Sequence, residues 1–127
     1  MKKYKTPTPI QRQAIPSLLA QPPRDIVAMS RTGSGKTLAY IAPLIQRLQG
    51  RHSTKFGARG VVLCPSRELA LQVLKVGKEM ARGFRGGGGH AGDGDDESRG
   101  DSLRWGLVVG GEGLDEQFDM VASNPDV

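Results

Sequence analysis

Eight consecutive residues, Ser30-Arg31-Thr32-Gly33-Ser34-Gly35-Lys36-Thr37, combine the side chains and backbone freedom needed to hold a phosphate chain. Gly33 and Gly35 let the backbone curl until successive N–H groups point at one anion, where a Cβ would obstruct them. A helix beginning near Lys36 adds the positive end of its dipole. Lys36 would reach the β- and γ-phosphates as a point charge, and the Thr37 hydroxyl would ligate Mg²⁺. Ser30 stands where the pattern G-x-x-x-x-G-K-[ST] has its first glycine, so a plain turn followed by a helix cap is the competing reading. The flanks favour a nucleotide. Ile26-Val27-Ala28-Met29 before the loop reads as a short buried strand, and Leu38 to Leu48 after it reads as a buried helix.

The elements that must position this loop follow from periodicity. Thr8 is a natural N-cap and Pro9 suits a first helical turn. Ile10, Ala14, Ile15, Leu18 and Leu19 then fall on one face, and Gln21-Pro22-Pro23 ends the helix. Gln11, near that helix's start, carries an amide able to pair with adenine N6 and N7 together. Pro43 would remove one hydrogen bond from the helix after the loop and kink it. Gly50 to Arg59 reads as a polar, basic surface loop, and Val61-Val62-Leu63-Cys64 repeats the character of the first strand. Ser66 would cap a third helix, with Leu69, Val73, Val76 and Met80 on one face. Arg67 lies at the carboxyl end of a strand, the edge where open α/β sheets bind ligands. It suits either a phosphate contact or an ion pair with Glu68 or a more distant acid.

Gly83 to Asp101 is glycine-rich and then acidic, with almost nothing to bury, and reads as a disordered loop. Its Asp93-Gly94-Asp95-Asp96-Glu97 run fails the spacing of an EF-hand, and neither Arg85 nor His90 has the company that would make it a site. Leu103 to Val109 resumes as a strand ending in Gly110-Gly111. Leu114, Phe118, Val121 and Ala122 mark one face of a short helix, which Asn124-Pro125 breaks before Asp126-Val127 starts another strand. About three strands alternating with helices predict an α/β fold with a parallel sheet and right-handed crossovers, cut short.

Composition narrows the class. The 127 residues fit at most one domain, with enough chain for a core. No run of eighteen apolar residues predicts a membrane span, and the basic start has no apolar stretch of a secretory signal behind it. The one cysteine, Cys64, sits in an apolar pattern, as in an intracellular, reducing setting. Charge is unevenly placed. Residues 1–92 carry a net +13 and residues 93–127 a net −8, within an overall +5. So basic a body suits a polyanionic partner or a solvated surface whose acidic complement lies elsewhere.

Taken together, these stretches resemble the first RecA-like domain of the DEAD-box RNA helicases. Tyr4-Lys5-Thr6-Pro7-Thr8-Pro9-Ile10-Gln11, within a Q-motif region at 1–16, is similar to the Q motif. Ser30–Thr37 is similar to motif I, Pro65–Ala70 to motif Ia, and Gly110-Gly111 to the glycine doublet that follows. The resemblance implies a RecA-like nucleotide-binding domain, represented in part by residues 1–127. It implies that Gln11 recognises adenine and Tyr4 helps to wall the base site. Ser30, Arg31, Thr32, Gly33, Ser34, Gly35, Lys36 and Thr37 would hold ATP and Mg²⁺, with Lys36 and Thr37 in the catalytic roles. Pro65, Arg67, Gly110 and Gly111 would lie along the backbone of single-stranded or short duplex RNA. Pro-Ser-Arg-Glu-Leu-Ala-Leu-Gln at 65–72 and Val-Gly-Gly-Glu-Gly-Leu-Asp-Glu-Gln-Phe at 109–118 resemble the nucleolar subgroup that acts in large-subunit ribosome assembly. That implies a nuclear location and pre-ribosomal RNA.

The departures are Lys3 at a usual glycine, Ser30 at a usual alanine, Ser66 at a usual threonine, and a long interval from Arg67 to Gly110, with 83–101 as an insertion. The family's Asp-Glu-Ala-Asp motif and second RecA-like domain do not occur within these residues. The chain by itself is therefore expected neither to unwind RNA nor to hydrolyse ATP appreciably. Two other classes compete: a different phosphate-loop NTPase, indifferent to Gln11, and a non-catalytic RNA-binding module, indifferent to ATP.

Overall fold

Four helices carry the architecture of the described residues. The computed structural model describes residues 6–85 and 102–127, of Arg85 only the backbone. Tyr4 and most of the expected glycine-rich and acidic loop, including His90 and Asp93–Glu97, lie outside the described residues. The helices are α1 (Pro9–Leu19), α2 (Lys36–Arg47), α3 (Arg67–Arg85) and α4 (Leu114–Ala122). The chain divides into two compact units, Met1–Gln49 and Gly50–Val127. None of the described helices is long and apolar enough to cross a membrane.

In the first unit α1 packs on α2. Their starts obey the sequence rules: Thr8 precedes Pro9, and Gln11 reaches back to accept the Thr8 backbone N–H at 3.0 Å, half of a capping box. The core is Ala14 with Ala39, Ile41, Pro43, Ile45 and Leu48. Pro43 is buried inside a helix that continues to Arg47, so the apolar face outweighs the one missing donor. Arg47 in the last turn of α2 donates Nε (2.9 Å) and Nη2 (2.6 Å) to the Leu18 carbonyl. A cation there satisfies an orphan carbonyl at the end of α1.

In the second unit Ser66 caps α3, its Oγ accepting the Leu69 N–H at 3.3 Å. The helix runs to Arg85, so Gly83 to Arg85, expected in the loop, are helical. The reason is local packing: the Phe84 ring lies over Gly50, where a Cβ would stand 2.7 Å from it. Trp105 lies against Gly77 in the same way, at 2.5 Å from an added Cβ. Val73, Ala81, Leu103 and Val109 are buried. The apolar residues of α4 mark one face as expected, but that face is open: Leu114 is 72% and Phe118 70% exposed.

The expected parallel sheet is not formed as a ladder among the described residues. Ile26–Met29, Val61–Cys64 and Leu103–Val109 lie outside any helix, and Val27 (97%) and Leu63 (90%) are open to solvent. Among the described residues, pairing is confined to short contacts in the second unit. Arg51 and Ser102 form one antiparallel bridge. The Asp126 carbonyl accepts the Arg59 (2.9 Å) and Gly60 (3.0 Å) N–H groups. On the other side the Asp126 N–H donates to Arg104 O and the Gly106 N–H to Val127 O, both at 2.8 Å. The second pair steps forward in both segments, the parallel sense, and places Asp126–Val127 between the other two. A ladder holds apolar strands only where neighbours satisfy both edges.

Candidate functional site

The loop Ser30–Thr37 has the backbone of an anion cradle. Gly33 (φ +77°) and Gly35 (φ +90°) both sit in the left-handed region that only glycine adopts freely. Gly35 is the N-cap of α2 and supplies no side chain, so the helix's first N–H groups are left without a side-chain acceptor. Those donors, with the dipole behind them, fit a phosphate. Within the loop the Ser30 and Ser34 hydroxyls hydrogen-bond at 2.6 Å, and the Ser34 N–H donates to Arg31 O at 3.3 Å. Lys36 Nζ donates to the Ser30 carbonyl and, at 2.8 Å, to the Arg31 carbonyl. The ammonium is thus folded onto its own loop, at a position two weak acceptors hold and a phosphate would outbid. Thr37 follows in the first turn and is half-buried, while Arg31 and Thr32 are exposed.

Gln11 is tied to that loop. It is 8% exposed; its Oε1 accepts the Thr8 N–H and its Nε2 donates to Gly35 O at 3.1 Å. Both ends of the amide expected to read adenine are therefore engaged, one of them by the phosphate loop itself. A Cβ on Gly35 would stand 2.4 Å from Gln11 Nε2, so glycine is required there by packing as well as by φ. The sequence gives no sign of this link, because the two residues are 24 apart.

In the second unit the structure brings the expected RNA-side residues to one edge. Pro65, Arg67 and Gly110 line a groove of about 480 Å³, with Val61, Leu63, Val108 and Val127 on its walls. Arg67, the first residue of α3, forms an ion pair through Nη2 with Glu112 Oε1, next to Gly111 (φ +84°). The more distant acid, not Glu68, is its partner. Gln117 holds the loop between: its Oε1 accepts the Val109 N–H (3.2 Å), and its Nε2 donates to Val109 O (3.1 Å) and Glu112 O (3.3 Å). Sequence reading missed Glu112 and Gln117, whose roles depend on a loop conformation and not on a spacing.

It also missed a polar cluster around Asp126, which is 2% exposed. Asp126 Oδ1 accepts from the Ser53 N–H (3.0 Å) and from Arg59 Nε (3.1 Å) and Nη2 (2.6 Å). Oδ2 accepts the Arg104 N–H and meets His52 Nδ1, each at 2.9 Å. Burial pushes this carboxyl up, but the bonds from Arg104, His52, Arg59 and Ser53 outweigh it and hold it below its ordinary value. The cluster ties the loop after residue 50 to the chain's last residues, and so shapes the groove.

Comparison with known proteins agrees with this arrangement. Residues 8–126 match the family model described as DEAD/DEAH box helicase. The chain is 63% identical over 124 residues to the ATP-dependent RNA helicase DBP10 of Mycosarcoma maydis, covering 98% of this chain and 10% of that protein. It is 53% identical over 133 residues to the DBP10 helicase of Cryptococcus neoformans serotype D, covering all of this chain and 16% of that one. Among solved structures, the RNA-helicase Prp28 from Chaetomium thermophilum bound to ADP matches with a TM-score of 0.69 at 30% identity, over 97% of this chain and 26% of that one. The chain therefore spans a small part of these relatives' length, and its backbone follows a helicase domain even where ladders are not formed. With the family's match running through nearly all of its length, the chain belongs to the DEAD/DEAH box helicase family.

Proposed function

We propose that these residues form the nucleotide-binding part, and a portion of the RNA-binding edge, of an ATP-dependent RNA helicase. The observation that carries this reading is the cradle itself: two left-handed glycines, an uncapped helix start and Lys36 poised beside them. ATP would take the place of the Ser30 and Arg31 carbonyls at Lys36, and its phosphates would face the N–H groups from Gly33 to Thr37. Mg²⁺ held in part by Thr37 would neutralise charge on the phosphate oxygens. Gln11 would exchange its bonds to Thr8 and Gly35 for adenine N6 and N7, so base recognition and loop shape are linked through one side chain. Tyr4 would complete the base site.

Pro65, Arg67, Gly110 and Gly111 would carry RNA by its phosphates, with little sequence preference. In the whole protein, ATP would close this RecA-like domain and a second one around single-stranded RNA. The bend that follows would separate a short duplex, and hydrolysis would reset it. The subgroup resemblance, together with DBP10 helicases as relatives, supports work on pre-ribosomal RNA in the nucleolus during large-subunit assembly. The test is competition between ATP and GTP for a fluorescent ATP analogue on the chain and on Gln11→Ala. The reading expects ATP to compete at least about tenfold better, with that preference lost in the variant, as for loss of one buried bidentate contact. Equal competition by GTP on the unaltered chain would overturn the adenine reading.

A further inference from the structure

The Arg67–Glu112 pair carries an inference beyond the assignment of Arg67 to RNA, and it rests on that assignment. A carboxylate against a guanidinium presents the same two-oxygen geometry as a phosphodiester. Glu112 is therefore an internal substitute for the anion Arg67 is proposed to bind. Its placement is built and not incidental. Gly111 turns the chain through a left-handed conformation just before it, and Gln117 clamps the backbone of Val109 and Glu112 from within α4. Glu68, adjacent to Arg67 in sequence, is passed over in favour of an acid 45 residues away. Both members of the pair remain accessible, Arg67 at 55% and Glu112 at 39% exposure of the side chain. The pair is thus screened by water and weak enough for a phosphate to displace.

We propose that Glu112 is a competitor for polynucleotide phosphate at Arg67, occupying the arginine until an RNA backbone displaces it. When RNA binds, the guanidinium exchanges one oxyanion for another and stays paired throughout, while the released carboxylate turns away about its own side-chain bonds on a backbone that Gln117 holds. A Cβ added at Gly110 or Gly111 would meet nothing within 4 Å, so open space lies beside the two glycines that precede Glu112. The consequence is discrimination. An isolated phosphate, or a strand that touches only Arg67, gains little over Glu112. A strand that also reaches the neighbouring backbone gains enough to displace it.

The experiment is anisotropy of a fluorescein-labelled ten-nucleotide oligouridine titrated with the chain, Glu112→Gln, Arg67→Ala, the double variant and Glu116→Gln as a charge control. Glu112→Gln is expected to bind about two- to fivefold tighter at low salt, the size expected for release of an exposed ion pair. The gain should shrink as salt rises. Arg67→Ala should bind more weakly, and adding Glu112→Gln to it should change nothing further. An equal gain from Glu112→Gln with and without Arg67, or from Glu116→Gln, would make the effect one of general charge and overturn the proposal. So would weaker binding by Arg67→Ala with no gain from Glu112→Gln. Unchanged binding by Arg67→Ala, or no binding by any of the five proteins, would overturn the RNA assignment of Arg67 itself, and the proposal with it. Unchanged Trp105 fluorescence across the set identifies any difference as one of binding and not of folding.

Discussion

Substituting Asn for Asp126 removes charge from the most connected carboxylate among the described residues of the second unit while keeping its shape. The native Oδ1 serves Ser53 and Arg59, and Oδ2 serves Arg104 and His52. Asn offers one acceptor oxygen and one NH₂, so one of these two sides must face a donor. The less costly orientation leaves the oxygen towards Ser53 and Arg59 and turns the NH₂ towards His52 and Arg104. His52 can present an unprotonated ring nitrogen to it, but the Arg104 N–H loses its acceptor. Leaving that part-buried N–H unpaired costs about 1–3 kcal/mol, and replacing charged by neutral acceptance at Arg59 costs about 1 kcal/mol more. The sum is about 2–4 kcal/mol, a large share of the roughly 5–15 kcal/mol that holds a domain together.

Urea unfolding followed by Trp105, the chain's one tryptophan and a member of the same unit, reads this directly. The pH dependence sharpens it. The native carboxyl lies below its ordinary value of 3.8, so its contribution is complete above that value and is lost as pH falls through the folded one. The gap between the two proteins should therefore be full near neutrality and should narrow in acid below about pH 4. A variant within about 0.5 kcal/mol of the native chain at neutral pH would refute the claim that this cluster organises the unit.

Two further outcomes follow from close approaches. Gly35→Ala should cost about 1–3 kcal/mol in the first unit, from a left-handed φ of +90° and a Cβ 2.4 Å from Gln11 Nε2. Thermal unfolding by circular dichroism measures that cost, and nucleotide affinity should fall at least about tenfold beside it, since α2 can no longer start in the same place. Gly77→Ala should push the Trp105 ring off α3, at a cost of about 1–3 kcal/mol partly offset by better helix propensity. A shifted Trp105 emission maximum would report the displacement.

The parts legible in the sequence were those fixed by neighbours a few residues away. Thr8 before Pro9, the stop at Gln21-Pro22-Pro23, and Ser66 ahead of an i, i+4, i+7 pattern gave α1 and the start of α3 closely. The turn at 30–37 was legible for the same reason, since its two left-handed glycines and Lys36 act on adjacent backbone. Contacts across distance were not. Asp126 meets His52 from 74 residues away and Arg59 from 67, and nothing in an Asn-Pro-Asp-Val stretch signals a hub. The apolar runs at 26–29, 61–64 and 103–109 have the composition of strands, but composition does not supply the neighbours a ladder needs. Likewise, Leu114 and Phe118 were rightly placed on one face of α4, whereas what that face meets is not a property of the helix's own sequence.

Calorimetric titration of the chain with Mg²⁺–ATP beside Lys36→Ala asks whether residues 30–37 hold a nucleotide. If residues 30–37 are a nucleotide cradle, the chain binds ATP saturably at one site. Removing the Lys36 ammonium then weakens that binding by at least about tenfold, as expected for loss of a charge-assisted phosphate contact. ATP binding of equal strength in both proteins, or none in the unaltered chain, would mean that residues 30–37 are not a nucleotide site.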